Sequence, residues 1–198
     1  MKPVCRPGGF EITDRALEVC SFPPSARLLD CGCGAGATVE YFRERGFCAE
    51  GVDIAGGDGI IKADAAELPF DDESFDGVFF ECSLSKMAFP DEALKEARRV
   101  LKKSGRIAVS DFYARGDEFD FSGELLGRAE KQEKIIARIE NAGFKLTLQE
   151  DYSRLGDELC ASIILKHGSK AFFDMTGAGR DEFKRVRCGY ALYAGVKL

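Results

Sequence analysis

The residues with the clearest chemistry lie together near the front of the chain, in Asp30-Cys31-Gly32-Cys33-Gly34-Ala35-Gly36. Glycines at alternate positions let a backbone turn tightly and approach a ligand with no Cβ in the way. They follow a short apolar run, Arg27-Leu28-Leu29, that reads as a buried strand. A helix beginning near Ala37 then presents unpaired N–H groups toward the same space. Asp53 lies near the end of a second strand, Phe47 to Ile54, where a carboxylate can accept hydrogen bonds from both hydroxyls of a ribose. These features together predict an adenosine-containing cofactor.

Which cofactor depends on charge. Gly32, Gly34 and Ala37 fit the dinucleotide pattern G-x-G-x-x-G/A, a weak signal alone, and Gly32, Gly34 and Gly36 fit D-x-G-x-G-x-G equally well. A pyrophosphate prefers helix N-terminal N–H groups with no anion nearby. S-adenosylmethionine carries an α-ammonium and a sulfonium, so an acid at Asp30 suits it better.

The elements that must hold these residues alternate along the chain. Helical patterning covers Ile12 to Val19, with Thr13 as its expected cap and Pro23-Pro24 as its end, and again Ala37 to Arg45. A third strand is expected at Gly59–Ala63, a fourth at Phe75–Cys82 and a fifth at Arg106–Phe112. A helix over Asp91–Leu101 and a turn at Lys103-Ser104-Gly105 precede the fifth. Tyr113 to Arg128 reads as a loop or lid. A helix over Glu130–Asn141 leads to two last strands, Phe144–Glu150 and Gly189–Val196, with helical sequence between them around Asp157–Leu165. Such alternation predicts an α/β, Rossmann-like doubly wound fold, its sheet covered on both faces. The chain reads as one domain over 1–198, with 1–22 as an N-terminal cap helix and 152–187 as an insertion between the last two strands.

Five stretches in order and spacing carry a family likeness between Arg27 and Asp111. They are Leu28 to Gly36, Gly51-Val52-Asp53-Ile54, Ala63-Asp64-Ala65-Ala66-Glu67-Leu68-Pro69-Phe70, Ser74-Phe75-Asp76, and Arg98 to Arg106. The chain resembles the class I S-adenosylmethionine-dependent methyltransferases, of the small-molecule type. That resemblance implies a seven-stranded, mostly parallel sheet in the order 3-2-1-4-5-7-6, with an antiparallel C-terminal hairpin. It also implies S-adenosyl-L-methionine as cofactor and S-adenosyl-L-homocysteine as product. Asp30, Gly32, Cys33, Gly34 and Gly36 would line the methionine and ribose portion, and Asp53 with Ile54 the ribose and beyond. Asp64 and Ala65 would meet the adenine, and Glu81 and Cys82 would lie beside the transferable methyl. One departure is the stretch from Ile54 to Lys62, too short for the helix the family usually places there.

Catalytic candidates are fewer. Asp111 and Tyr113 sit at the end of the fifth strand, His167 is the one histidine, and Cys82 carries a thiol beside the expected cofactor site. Glu81-Cys82-Ser83-Leu84-Ser85 is similar to the arsenite methyltransferase branch, where a soft thiolate holds a soft metalloid. Only Cys5 or Cys20 would supply a further thiol from the amino side. No metal site is expected otherwise. An NAD-linked oxidoreductase and a non-catalytic cofactor-binding module remain competing readings. Acceptor recognition is expected from Arg6–Phe10, Tyr113–Arg128 and Tyr152–Arg187.

Composition narrows the partners. Of 198 residues, 28 are Lys or Arg and 34 Asp or Glu, a net charge of -6 that argues against a nucleic-acid acceptor. No apolar run approaches a membrane span, no secretory leader is apparent, and eight cysteines without C-x-x-C spacing read as reduced thiols of a cytoplasmic protein. The expected partner is a small-molecule methyl acceptor; the oligomeric state stays open.

Overall fold

A computed structural model describes residues 5–198. The first four residues of the expected N-terminal segment lie outside it. The described chain begins with α1 (Glu11–Cys20), followed by β1 (Arg27–Cys31), α2 (Ala37–Glu44), β2 (Cys48–Asp53) and the two-residue β3 (Ile61–Lys62). Then come β4 (Phe75–Glu81), a 3₁₀ turn at Leu84–Lys86, α3 (Pro90–Val100) and β5 (Leu101–Ala114). A ribbon of β6 (Phe119–Asp120) and β7 (Arg128–Ala129) precedes α4 (Gln132–Asn141) and β8 (Phe144–Asp151). The chain closes with α5 (Ser153–Thr176), α6 (Arg180–Val186) and β9 (Cys188–Lys197).

Seven strands form one sheet in the order β3-β2-β1-β4-β5-β9-β8. With the small ribbon set aside, this is the order 3-2-1-4-5-7-6 that the resemblance implied. β1 through β5 pair in parallel, and β9 runs antiparallel between β5 and β8. β4 is apolar along nearly its whole length because both its faces are covered, as expected of a central parallel strand. One face packs α3 and α4 through Ala93, Leu94, Ala97, Val100, Ile135 and Ile139. The other packs α1, α2 and α5 through Ile12, Ala16, Val39, Phe42 and Leu155. Each helix buries one stripe and leaves the other in solvent. α3 adds Pro90 at its start, Asp91 and Glu92 in its first turn and Arg98 and Arg99 in its last, matching the helix dipole.

Three expectations are corrected. Thr13 does not cap α1: the helix starts at Glu11, two residues earlier, and Thr13 is fully buried within its first turn. The turn at Lys103-Ser104-Gly105 is absorbed as an irregularity within β5, where pairing jumps from Phe75–Leu101 to Gly77–Arg106 and Ser104 takes φ 60°. Tyr113–Arg128 is no free lid. β5 runs on to Ala114, and the amides of Gly123 and Leu125 donate to Thr176 and Met175 carbonyls at 3.1 and 3.0 Å, tying the segment to the end of α5.

Between β2 and β3 no helix forms; residues 54–60 make turns. α5 breaks at Gly168, where φ 84° and ψ 157° leave the helical region. Among the described residues, no helix is long and apolar enough to cross a membrane.

Candidate functional site

A cleft opens at the carboxyl ends of β1, β2 and β4, the edge where ligands enter open α/β sheets. Gly32, Gly34 and Gly36 all take positive φ, 72°, 54° and 81°. Gly32 is the position that admits no side chain: a Cβ there would stand 2.6 Å from Ser83 Cβ. Ser83 cannot easily retreat, since its hydroxyl donates to the Cys31 carbonyl at 2.7 Å. The amides of Gly32 and Cys33 both donate to the Val52 carbonyl, at 2.8 and 3.1 Å, which ties the turn to β2. Asp53 completes the fastening: Oδ2 accepts from the Gly34 amide and Oδ1 from the Ala55 amide, both at 2.9 Å.

The larger cavity has a volume of about 440 Å³. Its wall brings together Gly32, Gly34, Asp53, Ile54, Asp64, Ala65 and Cys82. Ile54 is 73% exposed, an apolar face with nothing packed on it. Asp64 Oδ1 accepts from the Ala66 amide at 2.9 Å and closes a turn. A smaller cavity of about 230 Å³ shares Gly32, Gly34 and Cys82 with the first and adds Asp30, Cys33 and Glu81. Of the residues expected to hold a cofactor, Gly36 alone lines neither cavity; it precedes α2 as its cap.

The smaller cavity is acidic at its floor. Asp30 is 2% exposed, and burial, reinforced by the Glu81 carboxylate, pushes its pKa up to about 8. Glu81 is engaged on both oxygens. Thr13 donates to Oε1 at 2.7 Å, and Thr38 donates to Oε2 at 2.8 Å. Arg6 pairs with Glu81 Oε2 at 2.7 Å and donates to the Thr38 and Thr13 hydroxyls at 2.7 and 2.8 Å. So Arg6, which the sequence placed among acceptor-recognition residues, spends its charge on Glu81.

Sequence reasoning missed Arg6 in this role, Thr13, Thr38, and also Ser83, Lys86 and Met87, which line the larger cavity from the β4 side. The last three follow the carboxyl end of β4 directly. Their position after that strand was the available signal.

The catalytic candidates are placed as follows. Asp111 is 3% exposed: Oδ1 accepts from the Ser85 hydroxyl and the Phe112 amide at 2.8 and 2.9 Å, and Oδ2 from the Ser85 amide at 2.8 Å. Tyr113 donates its hydroxyl to Asp151 Oδ2 at 2.6 Å. His167 is exposed just before the break in α5 and lines neither cavity. Cys82 lies in both, with φ 54° and Sγ 3.1 Å from the Tyr190 hydroxyl, and burial pushes its pKa up to about 12. Cys20 is buried within α1, while Cys5, Cys33 and Cys82 border the smaller cavity. Among the described residues, no three His, Cys, Asp or Glu side chains are set to hold a metal ion.

Sheet order and the position of the cleft define a Rossmann-like methyltransferase fold. Residues 29–109 match the model described as a methyltransferase domain. The methyltransferase GfsG of Streptomyces halstedii is 27% identical over 172 residues, 73% of this chain and 62% of its own. A demethylmenaquinone methyltransferase of Clavibacter sepedonicus is 34% identical over 100 residues, 43% of this chain and 41% of its own. The [4+2]-cyclase SpnF superposes with a TM-score of 0.73 at 25% identity, over 96% of this chain and 80% of that one. The chain thus spans less than two thirds of the length of these two curated relatives. Over residues 29–109 the chain is similar to the methyltransferases that its sequence resembles.

Proposed function

We propose that this protein transfers a methyl group from S-adenosyl-L-methionine to a small-molecule acceptor and leaves S-adenosyl-L-homocysteine. One observation carries the reading: Asp30 and Asp53 line two cavities that share Gly32 and Gly34 of the same glycine turn. The donor set fits the cofactor from end to end. Asp30 suits an ammonium, Asp53 a ribose diol, and Ile54, Ala65 and Met87 the faces of an adenine, with Asp64 Oδ2 left to accept from an exocyclic amine.

Bound there, the cofactor supplies an electrophilic methyl on a positively charged sulfur. The protein's residues position rather than activate. Gly32 keeps the turn close to the ligand, Asp53 fixes it, and Cys82 with Ser83 shapes the wall. Holding two reactants at near-attack distance is worth up to about 7–11 kcal/mol, which needs no general base when the acceptor is already nucleophilic. Asp111 and Tyr113, both committed to hydrogen bonds, support that mode.

The net charge of -6 supports a small-molecule acceptor over a nucleic acid. Eight cysteines, none in a disulfide, support a reducing, cytoplasmic setting. Titration calorimetry with S-adenosylhomocysteine, S-adenosylmethionine and NAD tests the cofactor, and a screen of acceptors with labelled donor tests transfer. Folded protein that binds neither sulfur compound overturns the reading. Binding with no transfer to any acceptor leaves a non-catalytic module instead.

A further inference from the structure

A second cavity of about 430 Å³, nearly the volume of the larger cofactor-side one, lies between α5, α6 and the adjoining ends of β5 and β9. We propose that it is a separate ligand site for a small amphipathic anion. The apolar body would lie on Phe112, Ile164 and Phe183, and its carboxylate or phosphate would face Arg115, Lys184 and Arg187.

Three observations carry this. The first is size: sites for small organic ligands run from about 300 to 1,000 Å³. The second is the lining, apolar at the base and cationic at the rim. Cys160 and Cys188 belong to the apolar part, since burial raises both thiol pKa values, to about 11 and about 12, and keeps them neutral. Three cations against the single carboxylate Asp157 form a local excess of positive charge in a chain whose net charge is -6. Among the described residues, neither Lys184 nor Arg187 has a carboxylate within ion-pair distance. Arg115 is held in place by its own donations to the Arg187 and Cys188 carbonyls, at 3.1 and 2.9 Å. A fixed guanidinium beside two unpaired cations selects an anion with several acceptor oxygens.

The third observation is separation from the cofactor side. No residue lines both. Phe112 and Tyr190 meet edge to face at 4.9 Å, and the Tyr190 hydroxyl lies 3.1 Å from Sγ of Cys82, which lines both cofactor-side cavities. α5 closes on this wall at Gly156, where a Cβ would come within 3.3 Å of Tyr190 Cβ. Most of its lining comes from Tyr113–Arg128 and Tyr152–Arg187, the segments expected to recognise the acceptor, yet it shares no residue with the cofactor side, so the inference does not rest on methyl transfer.

Calorimetry on the full chain with decanoate, 2-naphthoate and the uncharged decanol tests it. At least one of the two carboxylates should bind one to one, with equal affinity in the presence of saturating S-adenosylhomocysteine, and decanol should bind at least roughly tenfold more weakly. Lys184→Glu and Arg187→Glu, both at exposed positions, should each weaken carboxylate binding by about tenfold or more and leave S-adenosylhomocysteine affinity unchanged. Ala161→Trp should fill the cavity and abolish binding. Failure of both carboxylates to bind overturns the proposal, as does competition with S-adenosylhomocysteine, equal affinity for decanol, or indifference to both charge reversals.

Discussion

Asp53 accepts the Gly34 amide at 2.9 Å, so the carboxylate expected to hold a ribose also holds the turn that borders it. Removing it should act twice. Asp53→Ala loses charge-assisted hydrogen bonds, worth about 1.5–3 kcal/mol, or roughly 10- to 150-fold in S-adenosylhomocysteine affinity, and frees the Gly34 and Ala55 amides as well. Asp53→Asn, which keeps one oxygen acceptor, should lose less. Calorimetric affinities for the two variants decide this, and an unchanged affinity in Asp53→Ala removes the residue from the cofactor site.

Gly32 and Gly34 should respond differently to the same substitution. Both have positive φ, yet a Cβ at Gly32 would stand 2.6 Å from Ser83 Cβ, whereas at Gly34 it would meet nothing within 4 Å. Strained backbone alone costs about 1–3 kcal/mol. Gly34→Ala should therefore lower stability by roughly 1 kcal/mol, while Gly32→Ala adds displacement of Ser83 and should cost about 2–4 kcal/mol. Urea denaturation of the two variants measures the gap. Equal losses would show that Ser83 yields freely.

Much of this was legible because local chemistry and global topology agree. The glycine run, Asp53 and Asp64 occur at strand ends, and strand ends are written in short apolar runs followed by glycine or aspartate. What was not legible was the network around Glu81. Thr13 reads as a helix cap and Thr38 carries no signal, yet their hydroxyls reach one carboxylate 68 and 43 residues further along the chain. No local pattern encodes a contact of that span. The irregularity at Ser104 was hidden likewise, because a turn signal and a bulge signal use the same residues. The hydrogen bonds that pin Tyr113–Arg128 to Met175 and Thr176 depend on where α5 ends, a tertiary fact.

Arg6 and Glu81 form a nearly enclosed ion pair, with side chains 11% and 5% exposed. Such pairs add little net stability when intact, but breaking one by removing a single partner costs about 3–5 kcal/mol, since a charge is left buried alone. Arg6→Met should accordingly lower stability by about that amount. The double variant Arg6→Met/Glu81→Leu should recover part of the loss, less the hydroxyls of Thr13 and Thr38 that it strands. Thermal melts of the single and double variants test this. A double variant no more stable than Arg6→Met would mean that the cost lies elsewhere than in the orphaned carboxylate.

Asp30 links cofactor binding to pH. Burial first, then the neighbouring Glu81, raises its pKa to about 8, so the carboxyl is largely protonated at neutral pH. A cationic ammonium beside it favours the ionised form, and binding below that pKa must expel a proton. Affinity for S-adenosylhomocysteine should therefore rise with pH between about pH 6 and pH 8, by up to roughly tenfold per unit, and level off above. Stability has the opposite sign. The folded chain holds this proton more tightly than the unfolded chain, whose aspartate titrates near 3.9, so the empty protein should lose stability as pH rises from about 4 to about 8. Asp30→Asn should flatten both trends. Calorimetry in two buffers of different ionisation enthalpy counts the released proton directly. An affinity independent of pH across this window, with no proton released, would show that Asp30 is not the ammonium's partner.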